Sequence, residues 1–137
     1  MSAIAAMYEA LYGRITDPTV VWPAYRVPVS PVVDAPYITI SLASPGVDDT
    51  TVCGDTAVRH LTYAVKVWFR DAHIPDEDTA IDVCEAVEAL LAKWQGTQGS
   101  YTFFCTKAGE DEETPFPTDP LPLLRAYVSY WRFEVMG

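Results

Sequence analysis

The chain has 137 residues, a formal net charge of −10 at pH 7, and hydrophobic side chains at 50% of its positions. That length suits one domain over 1–137 and can bury a core without disulfides or metals. The acidity excludes a protein that grips DNA or an anionic membrane. Neutralising phosphates takes clustered Lys and Arg, and here the nine basic residues are scattered.

The three cysteines, Cys53, Cys84 and Cys105, are odd in number and lack CxxC spacing. Cys84 falls in a helical pattern and Cys105 in a strand pattern, so both read as small core hydrophobes in a reducing compartment. The N-terminal stretch lacks the basic start and apolar run of a signal peptide. No run approaches the roughly 18 apolar residues of a membrane span.

Ile4, Met7, Tyr8, Leu11 and Tyr12 recur at helical spacing. Ser2 is placed to cap this helix and Gly13 to end it. Residues 16–36 carry Pro18, Pro23, Pro28, Pro31 and Pro36. Proline lacks an N–H donor, so this stretch reads as an extended loop with at most a short edge strand. In residues 37–42, Ile38, Ile40 and Leu42 alternate with Tyr37, Thr39 and Ser41, the period of a half-buried strand. Residues 43–57 form a long polar connection. A second strand follows, with Leu61, Tyr63, Val65, Val67 and Phe69 on one face. His60, Thr62, Ala64, Lys66, Trp68 and Arg70 lie on the other.

Residues 76–96 read as a second helix, with Ala80, Cys84, Val87, Leu91 and Trp94 on one stripe and Gly96 as its stop. Residues 101–107 form a third strand. Residues 108–122 hold four consecutive acids and four prolines and read as an exposed loop. The last strand places Tyr127, Ser129, Trp131, Phe133 and Val135 opposite Leu124, Ala126, Val128, Tyr130, Arg132 and Glu134. The expected fold is α+β: a mainly antiparallel four-stranded sheet packed by helices, in the order α-β-β-α-β-β.

No catalytic constellation, metal set or cofactor motif emerges. His60 and His73 lie in different elements, and Cys53, His60 and Asp55 have no recognised ligand spacing. There is no GxSxG and no Gly-rich phosphate loop. The acid runs sit in loops, which are poor supports for paired-carboxylate chemistry. One feature exceeds what a core demands. The sheet face away from the helical layer carries Ala64, Trp68, Val128 and Tyr130, a candidate subunit interface.

An N-terminal helix ending near Gly13, a proline run leading to PYITIS, and a polar loop before Arg59 and its strand come in that order. A helix over DTAIDVCEAVEALLAKW and the aromatic strand RAYVSYWRFEV complete the pattern. This arrangement resembles the tail terminator or tail-completion proteins of long-tailed bacteriophages, over most of the chain. The resemblance implies a non-enzymatic virion subunit of the neck or tail, assembled in the host cytoplasm. It implies a homo-oligomeric ring, commonly a hexamer, that caps the tail tube protein and meets the head–tail connector proteins. It implies no cofactor and no membrane, and DNA that passes through without specific binding. An acidic lumen suits such a ring, which makes Asp48, Asp49, Asp55, Glu110, Asp111, Glu112 and Glu113 candidate channel or rim acids. A head-closure or minor tail protein is the alternative within this class. A small ligand-binding or enzyme domain is the alternative outside it.

Overall fold

The computed structural model describes residues 2–26, 35–44, 50–52, 56–70, 74–114 and 124–137. The elements in chain order are α1 (Ala3–Ile15), β1 (Ala24–Arg26), β2 (Tyr37–Ser44), β3 (Thr50–Val52), β4 (Thr56–Arg70), α2 (Ile74–Leu91), β5 (Gln95–Gln98), β6 (Tyr101–Glu113) and β7 (Leu124–Met136).

One curled sheet runs β1-β2-β4-β7-β6-β5, with β3 attached to β4. The four expected strands are β2, β4, β6 and β7, and β2 pairs antiparallel with β4 and β6 with β7. The four-stranded count is corrected to seven strands among the described residues, and β1 lies parallel to β2, so the sheet is mixed. The added strands are short. β5, Gln-Gly-Thr-Gln, has no apolar alternation to announce it. β3 lies within the polar connection of residues 43–57.

Both helices cover the same face. α1 begins as read, with the Ser2 hydroxyl accepting from the Ala5 N–H at 3.1 Å. It runs through Gly13 to Ile15, since glycine costs a helix only about 1 kcal/mol and each further residue adds a backbone bond. Of the residues read as its apolar face, Met7 and Leu11 are buried and Ile4 and Tyr8 pack against the core, while the buried stripe is completed by Ala3, Ala6, Ala10 and Ile15. The alanines let the helix backbone approach the sheet closely, and Tyr12 is left 42% exposed. The Tyr63 hydroxyl donates to the Ile4 carbonyl at 2.8 Å and ties α1 to β4.

α2 ends at Leu91, not at Gly96. Lys93 takes a positive φ of 58° and turns the chain into β5, where Gly96 lies. Trp94 then packs edge-on against Phe103 at 4.7 Å, with the Arg14 guanidinium 5.2 Å from its ring. The core centres on Tyr63, Phe69, Trp131 and Phe133, all fully buried, with Met7, Leu11, Val83, Val87 and Leu91 pressed on them from the helices.

Residues 108–113 are not loop. They extend β6 and pair with β7 up to Glu113↔Ala126. The register shifts between Lys107 and Gly109, so Ala108 is an extra residue. That bulge reverses the odd–even pattern of side-chain direction. Phe103, Cys105 and Lys107 share the helix side with Glu110 and Glu112, while Asp111 and Glu113 point to the other side.

Candidate functional site

Two surfaces stand out, one on each side of the sheet. The first is the face without helices. Register lines up Tyr37, Trp68, Ala126 and Glu113 in one cross-strand row. The next row holds Thr39, Lys66, Val128 and Asp111, and the next Ser41, Ala64, Tyr130 and Gly109. The structure therefore brings Ala64, Trp68, Val128 and Tyr130 together. Ala64, Ala126 and Val128 are the buried floor of a small apolar cluster, and the half-buried rings of Trp68 and Tyr130 stand over it.

The Trp68 indole N–H donates to Thr39 Oγ1 at 2.9 Å, which fixes the ring. Tyr37 lies 6.4 Å from Trp68, and Tyr25 lies 6.2 Å from Tyr37, continuing the aromatic row onto β1. Lys66 pairs with Glu113 at 2.6 Å beside the cluster. The whole is an apolar centre with a charged rim on one face of the sheet, the anatomy of a protein contact surface. Neither helix covers it. Tyr37 was legible in the alternation of residues 37–42, whereas Tyr25 lies in the proline-bearing stretch 16–36, which has no alternation to place it.

The second surface is a cavity of about 600 Å³ between α2 and the β6–β7 ribbon. Ile81, Cys84 and Tyr127 give it an apolar floor, and Glu85, Glu88, Glu110 and Glu112 give it acidic walls. Lys107 is the lysine of this lining; its Nζ donates to Glu88 Oε1 at 2.9 Å and also to Glu110 Oε1. Those two carboxylates hold its pKa above the ordinary value, Glu110 most strongly. Arg125 approaches Glu112 at 3.6 Å. The Tyr127 hydroxyl donates to Glu77 Oε1 at 3.1 Å, and burial, then that carboxylate, raises its pKa. Burial, with the Glu110 charge behind it, pushes the Cys84 thiol up to about 11.

Chemically, this cavity offers no activated nucleophile. The Cys84 thiol stays protonated, and His60 lies on the opposite face of the sheet, near Glu134 at 3.7 Å. Among the described residues no group of three or more His, Cys, Asp or Glu is placed to hold a metal ion. No described helix is long and apolar enough to cross a membrane.

Of the candidate rim acids, Glu110 to Glu113 sit on strand β6 and divide between the two faces. Glu110, Glu112 and Glu113 each have a cationic partner, and the Asp111 carboxylate accepts from the Glu112 N–H at 2.8 Å. Asp48, Asp49 and Asp55 lie outside the described residues, as does Cys53. Sequence reasoning missed the cavity lining of Ile81, Glu88, Lys107 and Tyr127. Gly109 inside a long strand was the one hint of the bulge that assembles it.

No protein-family model and no curated protein sequence matches the chain. Among solved structures, a chain from the virion of the native gene transfer agent (GTA) particle superposes with a TM-score of 0.71. The match covers 99% of this chain and 98% of that one, at 14% sequence identity. The superposition establishes a shared fold along nearly the full length of both chains, and at that identity the fold alone.

Proposed function

We propose that this protein is a structural subunit of a phage-like virion, which caps the tail tube as a ring and joins it to the head connector. The observation that carries this reading is the sheet face left without a helix, where Trp68 and Tyr130 stand over a buried apolar floor. A protein that worked alone would gain by placing polar side chains there. A neighbouring copy covers that face in the ring. The fold shared with a virion chain supports the setting, and the net charge of −10 suits a passage for DNA.

The role is architectural, without cofactor or catalysis. Asp48, Asp49, Asp55 and the acids of β6 remain the proposed rim of the channel. Negative-stain images of the purified protein test the reading. Closed rings of one stoichiometry are expected, hexameric by the resemblance in sequence order. Featureless monomers at all concentrations, alone and mixed with tail tubes, would overturn it.

A further inference from the structure

Among the described residues one stretch of sheet edge has no strand beside it, and it borders the acidic cavity. β5 pairs with β6 only from Tyr101 to Phe104, and the Cys105 N–H donates to the Trp94 carbonyl at 2.7 Å. From 106 to 113, no strand among the described residues pairs with that side of β6. Along it lies the cavity of about 600 Å³, with Ile81, Cys84 and Tyr127 below and Glu85, Glu88, Glu110 and Glu112 around.

An unpaired strand edge offers backbone N–H and C=O groups to any extended segment. Here three features sort the segments that approach. The bulge at Ala108 and the acid run keep an identical edge away, because two copies would set carboxylates against carboxylates. Nucleic acid is repelled for the same reason. The side chains of an incoming strand alternate, so those on the helix side enter the cavity, where the floor is apolar and the walls are anionic.

We infer that the 106–113 edge of β6, together with the α2 cavity, docks an extended basic segment of a different virion protein as an added strand. Alternate apolar side chains of that segment lie over Ile81, Cys84 and Tyr127. Its Lys or Arg side chains meet Glu85, Glu88, Glu110 and Glu112. Main-chain bonds supply affinity and the acidic walls supply selection. Lys107 holds Glu88 and Glu110 in place until an incoming cation shares them. This inference rests on the reading of the chain as a virion subunit and gives that subunit a partner of stated chemistry. The cavity lies on the opposite side of the sheet from the aromatic cluster, so the side chains that enter it leave that cluster uncovered.

Hydrogen exchange on the full chain tests it, using a synthetic peptide of alternating lysine and valine as the probe. Saturating peptide should slow exchange of amides within 106–113 by about tenfold or more, with little change on the sheet face around Trp68. Protection should weaken as salt rises toward about 1 M. It should also fall in the paired variant Glu110→Gln, Glu112→Gln, whose side chains are exposed enough to leave folding intact. A glutamate–valine peptide should give none. Equal protection by both peptides, or protection confined to α2, would overturn the added strand, as would preferential binding of an oligonucleotide. The ring reading is measured separately by particle mass without peptide, so either can fail alone.

Discussion

Lys93 holds a φ of 58°, a left-handed conformation that costs a residue with a Cβ roughly 1–2 kcal/mol. Glycine avoids that strain, although its unfolded chain has more freedom to lose. Lys93→Gly should therefore stabilise the protein by about 1 kcal/mol in urea unfolding. A loss of stability would show that the lysine side chain contributes more than the turn costs. The buried thiols give a second prediction at this scale. Burial raises Cys105 from 9.0 to about 12, and Cys84 from 9.0 to about 11. The folded state then keeps protons that the unfolded chain releases. Stability is complete below pH 9.0 and falls as pH rises through about 11 to 12. Cys105→Val removes one of the titrating groups and should make that decline shallower by one proton, read from unfolding free energies across the alkaline range. An unchanged slope would mean that Cys105 does not titrate as its burial implies.

At the scale of elements, α1 is held by its small residues. Ala6 is fully buried, and a larger side chain there pushes the helix from the sheet. Ala6→Leu should cost about 1–3 kcal/mol, whereas Tyr12→Leu, on the exposed side, should stay within about 0.5 kcal/mol. Thermal unfolding of the two variants checks this, and a tolerated Ala6→Leu would contradict the close approach. The sequence carried the long elements of this fold because they are periodic. β2, β4 and β7 alternate cleanly, and the Ala80, Cys84, Val87, Leu91 stripe of α2 faces the core as spaced, with Cys84 at the cavity margin. It carried the α1 face only in part: Met7 and Leu11 are buried as spaced, but Tyr12 is exposed and the buried alanines escape a reading that follows large apolar residues. Nor did it carry β5, whose Gln and Thr side chains have no preferred face. The acid run was misplaced for a different reason. A strand that ends in four carboxylates looks like loop, yet β7 pairs with it throughout and Lys107, Lys66 and Arg125 attend its charges.

At the scale of the molecule, the two sides of the sheet have divided the work. The helix side is packed with aromatic and aliphatic side chains and forms the core. The other side keeps its aromatic rings without a helix to cover them. Ala64, Trp68, Val128 and Tyr130 were legible as one patch because β4 and β7 alternate so regularly. Their role as an interface belongs to the proposed ring. The acidic cavity was not legible, since it depends on the single inserted residue at Ala108. Changes to the open face should separate folding from assembly. Trp68→Lys removes one ring and leaves the core of Tyr63, Phe69, Trp131 and Phe133 untouched. Its circular dichroism spectrum should match that of the parent chain, and a molten spectrum would show that Trp68 serves the fold itself.

In the proposed ring a second copy of this chain covers the Trp68–Tyr130 face. Light scattering of the parent chain and of Trp68→Lys at high micromolar concentration tests it most directly. An assembly of defined mass, at or near a hexamer, is expected for the parent and a monomer for the variant. A monomer for both, or the same assembly for both, would contradict it.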